Sequence, residues 1–134
     1  MPYDLDKLVQ LHNAARAKSW WTLKPLSPDS RLMHYADQWA RTMATRSRMV
    51  HSSMRDILAL GYSRAAENIA WNQQSEEAVM NAWLWSPGHR WNIMSSGVDR
   101  IGCGVSDAGR GPYWCVVFGR AKAATYTWRA RCKA

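Results

Sequence analysis

Two apolar β-strand segments in the last third of the chain constrain its fold more than any other sequence feature. They span about residues 99–106 and 112–119, and the turn-rich segment 107–111 between them predicts a hairpin. Each strand carries apolar residues on both of its sides, so neither face of the hairpin can be left to water. The sequence therefore predicts a sheet with both faces covered, and the segments upstream must supply the cover.

Helical periodicity dominates the chain upstream of the hairpin. Apolar residues at spacings of three and four predict helices over residues 4–17 and 29–46, and Asp4 is predicted to cap the first of them. A further short helix is expected over residues 54–60, because Gly61 then provides a favourable C-terminal stop. These segments supply helical faces that can pack on the sheet.

A proline divides the helical region that follows. Ser75 predicts the start of a helix, and Pro87 must end it, because a proline inside a helix costs about 3 kcal/mol. Ser86 and Pro87 form a favourable N-cap and first position for a new short helix, which places His89 near its third position. Upstream, the apolar segment 67–71 predicts a buried strand or another extended segment. The elements together predict an α+β domain, with helices around a small, mostly antiparallel sheet.

The length and composition of the chain fit a single folded domain. A chain of 134 residues can bury a core of its own, and 47% hydrophobic residues with nine Trp exclude a disordered protein. No apolar run reaches the roughly 18 residues of a membrane-spanning helix, so the chain is not expected to be transmembrane. No cleavable secretion signal is expected, because acids stand near the N-terminus where such a signal carries bases. A cytosolic protein, a mature fragment and a protein exported by another route stay open.

The positive charge of the chain is concentrated in its last third. Residues 1–89 hold 10 Lys/Arg and 8 Asp/Glu, a net charge of +2, whereas residues 90–134 hold 8 Lys/Arg and 2 Asp/Glu, a net charge of +6. An anionic surface, a lipid or a glycan is therefore expected to meet residues 90–134, with a solvated basic face as the alternative. Specific nucleic-acid binding is not expected, because the sequence holds no recognised binding motif.

The three cysteines, Cys103, Cys115 and Cys132, do not form a disulfide framework. No CxxC spacing occurs, which argues against a cysteine-based zinc site. The alternation along the two hairpin strands places Cys103 and Cys115 on opposite sides of the sheet. Both are therefore expected to be free, buried thiols.

An ordered set of short motifs resembles a known family. The motifs are LHNAAR at 11–16, ADQWA at 36–40, HS at 51–52, GY at 61–62, AENIA at 66–70, SPGHR at 86–90, NIM at 92–94, IGCGV at 101–105 and FG at 118–119. Over residues 5–119 the set resembles the CAP superfamily, the SCP-like or cysteine-rich secretory, antigen 5 and pathogenesis-related-1 domain, in its bacterial-type form. The resemblance implies an α-β-α sandwich with a cleft on one side.

The resemblance also implies which residues line that cleft. His51, Glu67 and His89 match family positions and are the candidate catalytic residues. The better-known eukaryotic members carry a second Glu where this chain has Ser86, and their second histidine comes from a later strand motif that is absent here. The resemblance therefore implies a reduced site. Its expected supporting residues are Ser86, Arg90, Asn92 and Trp71.

Two imidazoles and a carboxylate suit more than one role. His51 and His89 suit a divalent metal such as zinc, with an open position for water. They also suit general acid–base work, with Glu67 orienting one imidazole. In the structural alternative, both histidines hold helices on the sheet and Glu67 pairs with Arg64. These residues are compatible both with a catalytic cleft and with one that only binds a ligand.

Other histidines and tryptophans have simpler expected roles. His12 and His34 lie among apolar helical positions and are expected to be structural. Trp71, Trp85 and Trp91 lie near the motif residues and are expected at the rim of the cleft. There an indole ring can stack on a sugar ring or an apolar ligand.

Three functions are compatible with these features. The favoured one is a binding module of the extracellular or particle-surface kind, for a lipid, a sterol or a cell-envelope glycan, with a cleft for a divalent metal. The alternatives are a hydrolase acting on peptide or cell-wall polymer, and a structural or assembly component of a virus or phage particle. Residues 1–119 are expected to form the CAP-like domain. Residues 120–134 are expected to form a basic extension, either an edge strand or an arm that meets a protein partner.

Overall fold

The computed structural model describes residues 3–122, and these form an α+β domain. The helices of this part of the chain are α1 (Leu5–Ala17), α2 (Ser30–Arg46), α3 (Met54–Ala59), α4 (Glu76–Leu84) and α5 (Pro87–Ile93). The strands are β1 (Ser27–Pro28), β2 (Tyr62–Trp71), β3 (Arg100–Ser106) and β4 (Tyr113–Ala121). Within residues 3–122, no helix has both the length and the apolar character to cross a membrane.

Side-chain caps fix where three of the helices begin. The Asp4 carboxylate accepts a hydrogen bond from the Lys7 amide at 3.0 Å, as the sequence predicts. Asp29 caps α2 in the same way, and the Ser75 hydroxyl accepts from the Ala78 amide at 3.0 Å to cap α4. Each cap satisfies an amide that the first helical turn would leave without a partner. The predicted helices are thereby confirmed to within a residue or two.

The four strands form one sheet in the order β1-β3-β4-β2. The pairs β3–β4 and β4–β2 are antiparallel, and β1 joins β3 in parallel through two residues only. The small, mostly antiparallel sheet of the prediction is confirmed. Sequence patterns miss β1, because a two-residue strand that contains Pro28 has no alternation to detect. They also place the start of β2 five residues late, because Tyr62–Ala66 mixes polar and small residues.

Helices cover both faces of the sheet. On one face, α1, α4 and α5 pack over a cluster that includes Cys103, Trp114 and Phe118. On the other, α2 and α3 pack over a cluster that includes Cys115 and Val117. The two cysteines therefore lie on opposite sides, buried and free, as predicted. The remaining cysteine and most of the predicted extension, from residue 123 onward, lie outside the described residues.

Two glycines let helix α2 lie directly on strand β3. A Cβ atom at Gly102 would sit 2.1 Å from the Leu32 carbonyl carbon, and one at Gly104 would sit 2.4 Å from that of Ala36. Both distances are far below van der Waals contact, and the obstructing atoms belong to helix backbone. The two glycines of the IGCGV motif are therefore required for the close packing of α2 on β3.

The LHNAAR motif ties α1 to two loops. Arg16 is buried, and its guanidinium donates to the carbonyls of Lys24, Ile93 and Ser95 at 2.7–2.9 Å. The Asn13 side chain pairs with both the amide and the carbonyl of Leu26, at 2.7 and 3.0 Å. These bonds satisfy irregular backbone and fix the segments before β1 and after α5.

The other two histidines, His12 and His34, differ in their burial. His12 is fully buried and structural, as expected. His34 is exposed, so its expected structural role is wrong. The buried residues Leu32, Ala36 and Ala40 recur every four positions along α2, and position 34 lies on the opposite side of the helix.

Candidate functional site

The candidate cleft lies at the free edge of the sheet, beside strand β2. Glu67 is part of β2, which is the last strand in the sheet order. His51 lies in the segment between α2 and α3, on one face of the sheet. His89 lies on α5, whose Ile93 packs on the other face. The two histidines thus bond the edge strand from opposite sides of the sandwich, His51 through Glu67 and His89 through Asn68.

Glu67 is buried and orients His51. Its Oε1 accepts from His51 Nδ1 at 2.8 Å and from the Ser52 amide at 2.9 Å. Its Oε2 accepts from the Ser52 hydroxyl and, at 3.8 Å, from the Cys115 thiol. A carboxylate only accepts, so Nδ1 of His51 carries the proton and Nε2 of the neutral ring is an acceptor. The imidazole of His51 is 58% exposed, while the Glu67 side chain is 1% exposed.

His89 is held by the cap of its own helix. Its Nδ1 lies 2.8 Å from Ser86 Oγ, the N-cap residue of α5, and His89 is at the third helical position, as predicted. The Ser86 hydroxyl thus bonds the imidazole rather than a helix amide. Ser86, predicted as a supporting residue, thus positions the imidazole of His89.

Asn68 and Asn92 fasten α5 to the edge strand. Asn68 is buried, and its side-chain amide donates to the His89 carbonyl at 3.0 Å. Asn92 donates to Asn68 Oδ1 at 2.9 Å and to the Glu67 carbonyl at 3.4 Å. Sequence reasoning named Asn92 as a supporting residue and missed Asn68. The signal was present, because a polar side chain inside an apolar strand segment needs a partner.

The two imidazoles influence each other electrostatically. Burial lowers the pKa of His89, and the positive charge of a protonated His51 lowers that pKa further. The neutral form of His89 is therefore favoured, and the histidines lie within electrostatic reach of each other. A neutral imidazole has one nitrogen lone pair, and when Nδ1 carries the proton that lone pair is on Nε2, where a ligand can bind.

The chemistry open to this arrangement is limited by what Glu67 already binds. Within residues 3–122, no group of three or more His, Cys, Asp and Glu side chains is arranged to hold a metal ion. The donors left for a cation are therefore the two Nε2 atoms, with Glu67 and Ser86 as outer partners. The Ser52 hydroxyl bonds Glu67 rather than His51, so Ser52 is not set up as a nucleophile with His51 as its base.

The remaining predicted site residues make no hydrogen bond to either imidazole within residues 3–122. Arg90 is exposed and lines a groove between α1 and α4. Trp71 is 44% exposed, and its indole N–H donates to the Arg110 carbonyl at 3.1 Å, beside the hairpin loop. Arg64 makes no ion pair with Glu67 within the described residues. The indoles of Trp85 and Trp91, next to and on α5, are 88% and 77% exposed.

Comparisons with known proteins agree with this fold. The model of the family described as "CAP: Cysteine-rich secretory protein family" matches residues 9–118. The uncharacterized protein YkwD of Bacillus subtilis is 35% identical over 111 residues, which cover 77% of this chain and 42% of that protein. The chain thus spans less than half of the length of this relative.

Two solved structures show the same architecture. An outer surface protein from Borrelia burgdorferi is 23% identical, with a TM-score of 0.79 over 88% of this chain and 92% of that one. An extracellular protein containing a SCP domain, from Bacillus anthracis, is 26% identical, with a TM-score of 0.76 over 86% of this chain and 39% of that one. The first of these similarities supports the fold alone.

Proposed function

Because this chain belongs to the CAP, or cysteine-rich secretory protein, family, we propose that it is a binding module of the extracellular or particle-surface kind that recognises a cell-envelope glycan. The pair of anchored imidazoles carries the proposal. Each Nδ1 has a side-chain partner, and no hydrogen bond among residues 3–122 engages Nε2 of His51 or His89. The acceptor Nε2 of His51 and the Nε2 of His89, which donates or accepts according to the tautomer, suit a ligand with many hydroxyl groups, as a glycan has.

An exposed aromatic ring favours a glycan over a sterol. Trp85 precedes Ser86, the residue that bonds His89, and the Trp85 side chain is 88% exposed. Indole faces beside hydrogen-bonding groups are suited to stacking on sugar rings. A sterol would need an enclosed apolar cavity, and the imidazoles lie at an open sheet edge.

A lipid is the alternative ligand, and a separate groove in the structure supports it. A groove of about 320 Å³ runs between α1 and α4, with Leu11, Met80 and Leu84 in its lining and Lys18 among its charged residues. An acyl chain would fit the apolar lining, and its anionic head group would meet the lysine. This groove is separate from the imidazole pair, so the two ligands can be distinguished by mutation.

A divalent cation is a further proposed ligand of the imidazole pair. Glu67 and Ser86 hold the rings as outer-shell partners hold metal-binding histidines. Only two protein nitrogens are offered, fewer than the three ligands of a catalytic zinc site, so we expect weak binding with water in the other positions. Zinc calorimetry on the wild type and the His51→Ala/His89→Ala double variant tests this, and identical isotherms would refute it.

Hydrolysis of peptide or cell-wall polymer is the second candidate function. The observation that favours it is the buried Glu67 behind His51, because such a carboxylate orients an imidazole and stabilises its protonated form. His51 would then take a proton from water through Nε2. Turnover of cell-wall polymer no greater than that of a Glu67→Gln variant would reject this function. An assembly role in a virus or phage particle depends on residues beyond 122 and stays a prediction.

The glycan proposal is tested by calorimetry with soluble cell-wall glycan fragments. We expect His51→Ala and His89→Ala each to weaken binding about tenfold, since each removes one hydrogen bond to the ligand. His34→Ala is the matched control, because it removes an exposed histidine from α2. Equal affinities for the wild type and both cleft variants would refute the proposal.

A further inference from the structure

A cavity of about 870 Å³ lies where strand β2 begins and strand β4 ends. Arg64 and Arg120 line it, together with the indoles of Trp21 and Trp91 and the serines Ser95 and Ser96. It contains none of His51, Glu67 and His89, so it is distinct from the cleft. Its volume falls in the range of small-molecule sites.

The two arginines of the cavity form an unneutralised pair of like charges. Arg64 and Arg120 are directly opposite each other in the antiparallel register of β2 and β4. Like charges at such positions repel each other and destabilise the sheet. Within residues 3–122, neither guanidinium makes an ion pair or a side-chain hydrogen bond. All ten Asp and Glu residues of the chain lie in this part, so no other acidic side chain remains to neutralise them.

The acidic side chains near the two arginines, Asp99 and Glu67, already bond other groups. Asp99 Oδ1 accepts from the Ala121 amide at 2.9 Å, and its Oδ2 lies 3.6 Å from Arg100 Nη1. Glu67, three residues from Arg64, is bonded to His51 and Ser52 on the other side of the strand. The excess positive charge is therefore available to an anion from outside the chain.

The walls of the cavity are held in place by buried bonds. Arg16 binds the carbonyl of Ser95, which lines the cavity, and those of Lys24 and Ile93, each next to a lining residue. Arg64 is lodged against the loop at Gly97, where an added Cβ would lie 2.7 Å from Arg64 Nη1. A site whose walls are fixed before the ligand arrives loses less free energy on binding.

Aromatic surface stands beside the charges. Trp21 is 56% exposed and Trp91 is 77% exposed, and the Trp20 ring lies 4.7 Å from that of Trp21. Guanidinium groups bind phosphate oxygens through paired hydrogen bonds, and indole faces stack on sugar rings. Charge and aromatic surface together match a ligand that carries both groups.

We propose that this cavity binds a sugar phosphate, with the phosphate between Arg64 and Arg120 and the sugar against Trp91. The site is independent of the imidazole cleft, and it stands or falls separately from the function proposed for that cleft. It also gives a specific anionic ligand to Arg120, one of the basic residues of the last third of the chain.

Calorimetry at low salt tests the proposal with glucose 1-phosphate, inorganic phosphate and methyl glucoside as probes. We expect glucose 1-phosphate to bind more tightly than either of the others. Arg64→Gln and Arg120→Gln should each weaken its binding about tenfold or more, because each removes charge-assisted hydrogen bonds. Arg110→Gln is the matched control, since it removes the same charge from the exposed hairpin loop. Trp91→Ala should weaken glucose 1-phosphate binding and leave phosphate binding unchanged.

Thermal unfolding without ligand separates binding from a structural role. Each substitution removes the repulsion between the two arginines. The thermal unfolding midpoints of Arg64→Gln and Arg120→Gln should therefore be at or above the wild-type value. A lowered midpoint in both variants, or an Arg110→Gln variant that loses as much affinity, would overturn the proposal. Binding to phosphatidylglycerol vesicles without binding to glucose 1-phosphate would also overturn it, in favour of a lipid head group.

Discussion

His12 gives a prediction whose size follows from the structure. The ring is fully buried, with the rings of Trp83 and Phe118 at centroid distances of 6.0 and 5.7 Å. Nδ1 lies 2.8 Å from the Leu8 carbonyl and donates to it, whereas the buried Nε2 has no partner among the described residues. Protonation would place a second N–H and a positive charge in this apolar site. Burial therefore lowers the pKa of His12 to about 4, and the nearby charge of Arg16 adds to the effect.

The direction of the pH effect follows from linkage. The ordinary pKa of histidine is 6.5, so the unfolded chain takes up the proton near that pH while the folded chain resists until about pH 4. The contribution to stability is fully present above pH 6.5 and is lost as pH falls through this window. From pH 7 to pH 5 the loss is about 2 kcal/mol, and over the whole window it is roughly 3 kcal/mol.

Urea unfolding of the wild type and of His12→Leu, at pH 7 and pH 5, measures this contribution. Leucine has a similar volume and no charge, so we expect stability at pH 7 to change by less than about 1.5 kcal/mol. The variant should lose about 2 kcal/mol less than the wild type on going to pH 5. His34→Leu, at an exposed position of α2, should follow the wild type. Equal pH dependence in the wild type and His12→Leu would refute the reasoning.

Three further predictions concern the site, the packing and the thiols. Ser86→Ala frees Nδ1 of His89 and should weaken glycan binding severalfold in calorimetry, with circular dichroism unchanged; unaltered affinity would contradict the role given to this bond. Gly104→Ala forces a Cβ into the backbone of α2 and should lower the free energy of unfolding by about 3 kcal/mol or more, and a stable variant would contradict the close helix–strand approach. Burial raises the pKa of the Cys103 and Cys115 thiols. In a Cys132→Ser variant, neither thiol should therefore react with a thiol reagent until the protein is unfolded. Rapid labelling of the native protein would count against their burial.

Several features of the fold could be predicted from local sequence alone. The caps Asp4 and Ser75 act on amides within their own first turns, so their effect depends on neighbouring residues only. Period-two alternation places Cys103 and Cys115 on opposite faces without any knowledge of the partner strands. The position of His89 in its helix follows from Pro87, which determines where that helix begins.

The residue types of the cleft could be predicted from the sequence, whereas the hydrogen bonds between them could not. His51, Glu67, His89 and Ser86 were all singled out, because histidines and an acid stood in motifs that resemble a family. The sequence allows either His51 or Arg64 as the partner of Glu67, and in the structure Glu67 bonds His51 and Ser52. Arg64 lies closer in sequence, but strand alternation turns it to the other face of the sheet.

What the sequence determined by itself is the set of helices, the doubly covered sheet and the residue types of the cleft, because these follow from local periodicity, caps and motifs. Only the tertiary structure decided that β2 is an edge strand, where histidines from two faces can meet. It also decided that Arg64 stands opposite Arg120 and that their cavity is walled by loops tied to Arg16. Those relations depend on strand order and register, which join residues far apart in the chain through backbone hydrogen bonds that no local pattern specifies.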